Sequence, residues 1–479
     1  MTALSGTALW TAEDAAAATG GKLAPGAVWS ADGVSIDTRS VAPRDLFVAL
    51  KGPRFDGHNF VETALSNGAA AAMIDRALPS VDAKRLLSVP DTQAGLEALA
   101  RAARARSQAK IVAVTGSVGK TGTKEALAKL LSAQGPTHAS AGNLNNQIGT
   151  PLSLARLPAS ARYAIFELGM NHENEIRPLT RLVRPHAAIV TTIEAVHLEY
   201  FSGVEGIADA KAEIFEGIEP GGAAILNRDN PQFGRLAAKA KACNVARIWS
   251  FGVAEDADAR LVSADLRADG SSAEAVILGR RLRFELPLPG RHHVQNALGV
   301  LLAVAALDAD VAAAAAGLSM LTAVKGRGAA IDVSLGDGHF RLIDESYNAS
   351  PAAMRAAFGV LAMTAPAPGG RRIAILGDML ELGTAAPEQH AALAQDLAAA
   401  GVAQVFTAGP LMRHLYNALP AAMRGGHEDQ AAALVQRAAD AVRSGDVVLV
   451  KGSAGSRMGG IVAALRALAP KLGEARHAV

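Results

Sequence analysis

The chain has 479 residues, half of them hydrophobic but only 4% aromatic, and a formal net charge of +2. At about 150 residues per domain this length implies about three domains, and a near-neutral charge with no long basic run gives no footprint for nucleic acid or an anionic membrane. One cysteine, Cys243, rules out an internal disulfide and fits a reducing compartment; the N-terminus lacks a basic n-region, and no stretch approaches ~18 strongly apolar residues, so a soluble cytoplasmic protein without membrane insertion is expected.

Residues 1–106 read as a small α/β unit. Thr11 is a plausible N-cap for a helix over Trp10–Thr19 that ends at Gly20-Gly21. Val34–Arg39 alternates and reads as a strand, as do Asp45–Leu50 and Ala69–Ile74, with a helix opening at Asp56–Phe60 between the last two. Leu96–Arg106 is helical and leads into the next domain. Asp37-Thr38-Arg39-Ser40 and Phe55-Asp56-Gly57-His58 are polar beyond what a turn needs. Each alone fits turn and capping chemistry; together they can line a pocket for a uridine or diphosphate.

Residues 107–324 open on IVAVTGSVGKTGT, from Ile111 to Thr123. A short β-branched strand, a turn with Gly116 and Gly119, then Lys120, Thr121 and a helical run describe a phosphate cradle. Glycines let backbone N–H groups approach phosphate oxygens, and the helix N-terminus adds partial positive charge. The backbone of Gly116, Ser117, Val118, Gly119 and Gly122 would wrap the phosphates, Lys120 reaches the β/γ-phosphates, and the Thr121 hydroxyl can hold Mg²⁺. Val114 replaces the first glycine of the full Walker A pattern, so the core is the shorter G-x-x-G-K-T.

The amide-rich loop Asn143–Gly149 follows. Such loops are usually solvated, yet four amides within five residues suggest a polar ligand such as a sugar. Tyr163–Leu168, His186–Ile193, Gly222–Asn227 and Ala246–Phe251 read as strands alternating with helices, which predicts a parallel sheet. Ligands of such sheets sit beyond the carboxyl ends of the strands. The glycine turn, Glu167 and His197 all fall there, where a carboxylate and an imidazole can hold Mg²⁺ and orient phosphates. Val204–Gly217 is a helix carrying Lys211, which composition alone leaves as a solvated lysine. Ser271–Leu288 reads as a hairpin, and His292–Leu307 as a helix with Asn296 near its start.

Residues 325–479 read as a third α/β domain. Gly336-Asp337-Gly338 joins a hairpin; Ser350 and Pro351 start a helix; Arg372–Leu376, Gln404–Thr407 and Val447–Val450 are strands, the last leading to Lys451-Gly452-Ser453.

With these pieces the chain resembles the Mur ligases, which build the peptide of bacterial cell-wall precursors. The resemblance covers nearly the whole length. It is carried by TGSVGKTGTKE (115–125), GNLNNQIGTPLSL (142–154), FELGMNHENEI (166–176), AVHLEYF (195–201), ADAKAEIF (208–215), HHVQNAL (292–298), KGRG (325–328), IDESYNASP (343–351) and ILGDMLELG (375–383), together with DTRSVAPRDLFVALKGPRFDGH near the N-terminus. It implies an α/β protein of three domains: a small UDP-sugar-binding domain over 1–106, a central parallel-sheet P-loop ATPase domain over 107–324, and a Rossmann-like C-terminal domain over 325–479. It implies that Thr121 and Glu167 are Mg²⁺ ligands and that His197 holds a second ion. Lys211 is similar to a lysine that carries a CO₂ adduct in this family, which would make it a metal ligand. Asn296 would contact adenine, and Arg327 and Asp344 would reach ATP from the third domain. Thr38, Arg39, Asp56, His58, Asn146 and Gln147 are similar to positions near the UDP-sugar, and Tyr347 and Asn348 would also face substrate.

Within the family, GDMLELG resembles the branch that adds D-alanyl-D-alanine to UDP-N-acetylmuramoyl-tripeptide; a monomer is expected. The diamino-acid-adding branch carries a DNPR stretch in its third domain; here Asp229-Asn230-Pro231-Gln232 lies in the central domain and lacks the Arg. The chain departs from the family pattern at Ser350, where Asn is common, and at Tyr200, where Gly usually follows HLE. Two rivals remain: another amide ligase of this superfamily, such as a folylpolyglutamate synthase, and a P-loop ATPase switch. A guanine-reading N-K-x-D is absent.

Overall fold

A computed structural model describes residues 8–53, 55–196 and 198–469. Among these residues three large sheets, of five, nine and six strands, follow one another along the chain.

In the first unit the strands run in the order Lys22–Leu23, Leu86–Ser88, Ala71–Ile74, Asp45–Val48, Gly33–Ser35, parallel except for the first pair. The N-terminal helix covers Ala12–Thr19, with Thr11 as its cap accepting from the Asp14 N–H at 3.1 Å and Gly20 ending it at φ +65°. The strand expected over Val34–Arg39 stops at Ser35. Asp37 turns its carboxylate back onto the Arg39 N–H at 2.9 Å, an Asx turn that removes the segment from the sheet.

In the nine-stranded sheet Lys110–Thr115 is third from one edge. Tyr163–Glu167 lies on one side of it, followed by Thr137–Ala139, and Ala187–Val190, Ala223–Asn227 and Arg247–Gly252 lie on the other, all parallel. Alternate residues of these strands enter two different cores. Val112, Val114 and Ile165 pack with Leu127 and Leu131 of the Lys120–Ser132 helix, while Ile111, Ala113 and Phe166 pack with Leu179 and Ile207 from the opposite face. Burial on both faces explains why the strands read as continuous apolar runs. The parallel strands are extended by an antiparallel edge: the hairpin Gly270–Ile277 and Arg280–Leu286, expected over Ser271–Leu288, and a strand over Ala259–Arg267 that the sequence reading missed.

The third sheet runs Ala329–Leu335, Gly338–Glu345, Val447–Lys451, Arg372–Gly377, Gln404–Ala408, Arg424–Glu428, antiparallel only in its first pair. Ala374 and Leu376 face one helical layer, and Ile373 and Ile375 the other. Ser350 caps the helix Pro351–Met363 by accepting from the Ala353 N–H at 3.4 Å, with Pro351 in the first turn.

The junctions between units differ. Trp10 Nε1 donates to the Ala155 carbonyl at 2.9 Å, Arg156 Nε to the Val34 carbonyl at 2.6 Å, and Leu152 and Ala155 of the middle unit sit in the same apolar cluster as Val34, Leu46 and Leu99 of the first. The middle and third units instead meet across a cleft lined by both.

Candidate active site

The strand order fixes where chemistry can gather. Lys110–Thr115, Tyr163–Glu167 and Ala187–Val190 are adjacent and parallel, so the glycine turn, Glu167 and the segment leading to residue 197 leave the sheet at one edge, where the chain has crossed to opposite sides of the first of these strands. A cavity of about 920 Å³ opens there, lined by Ser117–Thr123 and Glu167 from the middle unit and by Arg327, Glu345, Tyr347, Asn348 and Lys451 from the third.

The turn is built on backbone that only glycine adopts readily. Gly116 has φ +144° and Gly119 φ +88°. A Cβ at Gly119 would stand 2.8 Å from Asn296 Nδ2, which places the Asn296 amide against the turn from the Arg291–Ala306 helix. Lys120 folds over the loop, donating to the Gly116 carbonyl at 2.7 Å. Burial pushes its amine below the ordinary value, Glu167 opposes that, and Arg327 adds to it. A phosphate entering the turn would meet a lysine currently bonded to the loop's own carbonyls.

Thr121 Oγ1 donates to Glu167 Oε2 at 2.8 Å, and Asn145 Nδ2 donates to Oε1 at 2.7 Å. Both oxygens of a carboxylate 3% exposed are therefore held in place. Glu194 backs the loop: its N–H donates to Ser117 Oγ at 2.9 Å and its carbonyl accepts from that hydroxyl at 3.1 Å. Burial raises the Glu194 carboxyl.

Lys211 is 1% exposed and lies off the cavity wall, on the helix Val204–Ala212. Its amine is driven well below 10.5 by burial first and by the Lys120 charge second, and no ion pair links it to any described residue. A solvated helical face, the bland reading from composition, is thereby replaced by a buried amine near the phosphate turn. His197 lies outside the described residues.

From the third unit, the Arg327 guanidinium stacks 4.0 Å above the Tyr347 ring. Lys451 Nζ pairs with Glu345 Oε2 at 3.1 Å and donates to the Asn348 carbonyl at 3.0 Å. Asp344 does not line the cavity; its Oδ1 accepts from the Ser346 N–H at 3.1 Å and hydroxyl at 2.6 Å, bracing the turn that presents Glu345 and Tyr347.

The remaining sequence candidates lie away from this cavity. Asn146 Oδ1 accepts from the Gly149 N–H at 2.9 Å at the start of the helix Gly149–Ala155, and Gln147 is exposed beside it. His58 is 5% exposed with Nδ1 paired to Asp56 at 2.7 Å and Nε2 to Asp75 at 3.1 Å. Hydrogen bonds from the His58 backbone and ring hold the Asp56 carboxyl below its usual range. Arg39 extends into solvent against Asp37 at 2.6 Å, and the Thr38 carbonyl accepts from Asn67 at 3.1 Å. Residues given no role from sequence include Asn145, Glu194, Glu345 and Lys451; the available signals were the amide-rich loop for Asn145 and the strand's carboxyl end for Lys451.

A glycine turn of the shape that receives phosphate, a fixed Thr–Glu oxygen pair and a second α/β unit facing them across a cleft define a nucleotide-dependent ligase assembled from three domains. Family profiles agree along the chain: "Mur ligase family, catalytic domain" matches residues 30–107, "Mur ligase middle domain" 114–304, and "Mur ligase, glutamate ligase domain" 326–454. The chain belongs to the Mur ligase family. It is 37% identical over 444 residues to UDP-N-acetylmuramoyl-tripeptide–D-alanyl-D-alanine ligase of Escherichia coli, covering 92% of this chain and 95% of that one. It is 33% identical over 429 residues to the enzyme of that name from Rickettsia prowazekii, covering 90% and 94%. Among solved structures, MurF from Acinetobacter baumannii superposes with a TM-score of 0.83 at 31% identity, covering 96% of this chain and 99% of that one. MurF ligase from Thermotoga maritima in complex with ADP superposes with a TM-score of 0.75 at 26% identity, covering 91% and 97%. No helix among the described residues is long and apolar enough to cross a membrane.

Proposed function

We propose that this chain joins D-alanyl-D-alanine to UDP-N-acetylmuramoyl-tripeptide at the expense of ATP, releasing ADP and phosphate, in peptidoglycan precursor synthesis. The supporting observation is the cleft in which Lys120, Thr121 and Glu167 of one domain face Arg327 and Lys451 of another. A tripeptide carboxylate oxygen attacks the γ-phosphorus and ADP leaves. The dipeptide amine then attacks the acyl carbon, phosphate leaves, and the amine gives up a proton. Both electrophiles carry negative charge, so fixed cations aimed at the transferring group supply the stabilisation. Lys120 and the turn would hold the β/γ-phosphates, Asn296 would face adenine, and closure of the third domain would keep water from the acyl phosphate.

Mg²⁺ fits the donor set present. Thr121 and Glu167 offer hard oxygen ligands, and among the described residues no cluster of three His, Cys, Asp or Glu side chains forms a self-sufficient cage, which suits an ion that is completed by substrate phosphates and water. Two ions are proposed, the second with His197 and Lys211. A buried amine with no anionic partner among the described residues fits a carbamate, which would convert Lys211 into an oxygen ligand. Mg²⁺ would neutralise developing phosphate charge. Residues 1–106 would bind the UDP-sugar, with Thr38, Arg39, Asn146 and Gln147 at its surface and Asp56 and His58 shaping the wall; 107–324 would bind ATP, and 325–479, with Tyr347 and Asn348, would deliver the acceptor. Asp344 would act on the ribose side through its turn. A cytoplasmic monomer is the proposed form.

The test is phosphate release with UDP-N-acetylmuramoyl-tripeptide and a panel of amines, with Lys120→Ala as the inactive reference. Stimulation by D-alanyl-D-alanine above all others is expected. Equal or greater stimulation by a diamino acid or glutamate would replace the proposal with another ligase of the superfamily, and steady hydrolysis without an acceptor would favour a switch.

A further inference from the structure

Lys124 is a lysine that the chemistry above does not use. It lies one turn beyond Lys120 on the Lys120–Ser132 helix and is fully buried. A buried ammonium is costly unless each of its donors is engaged. Here Nζ donates to the Ser140 carbonyl at 2.8 Å and the Gly142 carbonyl at 3.0 Å, and pairs with Glu125 at 2.9 Å. The two carbonyls belong to the segment that supports Glu167. Ser140 Oγ accepts from the Glu167 N–H at 3.1 Å, and three residues past Gly142, Asn145 fixes Glu167 Oε1 while its carbonyl accepts from the Gly169 N–H at 2.8 Å. Thr121, on the same helix as Lys124, fixes the other oxygen.

We infer that Lys124 is a positioning residue that clamps the 140–145 segment to the phosphate-binding helix, so that Thr121 and Glu167 present their oxygens to the metal–nucleotide as one unit. This rests on the metal–nucleotide reading of the cavity. The clamp is local in its parts: one lysine joins a helix to a loop that sequence places 16 residues away from it. A lysine serving stability alone would leave nucleotide binding untouched once the protein had folded.

The test compares the full-length protein with Lys124→Met and Lys124→Arg in two measurements. Hydrogen exchange of residues 141–147 without nucleotide or metal should quicken at least tenfold in Lys124→Met. Calorimetric ADP affinity with saturating Mg²⁺ should weaken about tenfold in the same variant while affinity in EDTA stays within twofold, with Lys124→Arg recovering most of the loss. Unchanged exchange, or Mg²⁺-ADP affinity within twofold of the parent, would overturn the clamp. Should Lys124→Met not fold, Lys124→Gln is held to the same thresholds. Absence of any Mg²⁺ effect in the parent would count against the reading of the cavity, and the exchange measurement would still decide for or against the clamp.

Discussion

Lys211 shows how far a single side chain's surroundings can carry. Its amine is depressed by burial and by Lys120, so in the window below 10.5 the unfolded chain binds a proton that the folded chain sheds, and the unmodified folded state gains stability as pH rises. A neutral amine is also the form that captures CO₂. If the adduct forms only in the folded protein, bicarbonate at neutral pH should raise the melting temperature by mass action, and this rise should vanish in Lys211→Ala. Activity of that variant should return in part with a short-chain carboxylate; a parent melting temperature indifferent to bicarbonate would count against the carbamate. The amide loop marks what sequence can and cannot tell at this scale. That Asn143–Gln147 mattered was readable from composition, but which amide turns inward was not. Asn145 grips Glu167 while Asn146 caps a helix, because the choice depends on where Gly149 and Gly169 let the backbone pass.

At the scale of elements, the strand–turn–helix of the phosphate cradle was legible because its signals are local: β-branched residues, then glycines, then a helix former. Ala259–Arg267 was missed since most of its residues are polar and exposed and carry little alternation. Arg424–Glu428 was missed since RGGHE reads as a turn, and only pairing with Gln404–Ala408 makes it a strand. The Arg291–Ala306 helix offers a prediction. His292 and His293 lie at its start with ring centroids 4.1 Å apart, and both are held below 6.5, chiefly by burial, with His292 also opposing protonation of His293. Below the unfolded value, folding must expel protons that the unfolded chain keeps, so stability is lost as pH falls under about 6.5. His293→Phe should flatten the fall in melting temperature between pH 7 and pH 5; an unchanged slope would show that His293 takes no part.

Over the whole molecule, the order of three α/β units followed from length and alternation, yet nothing in the sequence distinguished the two junctions. The first is apolar and shared: Leu152 of the middle unit is 2% exposed within a cluster dominated by the N-terminal unit. Leu152→Ala should cost about 2–5 kcal/mol, with both units unfolding in one lowered transition by calorimetry. Separate transitions would mean that the cluster does not couple them. The second junction is an open cleft whose charged groups come from opposite walls, Lys120 and Glu167 on one side, Arg327, Glu345 and Lys451 on the other.

That cleft has a pharmacological corollary. A cation stands on each bank, Lys120 on one and Arg327 on the other. A rigid molecule with two acidic ends, one seated in the glycine turn and the other against Arg327, would act as a doorstop wedged between the two walls.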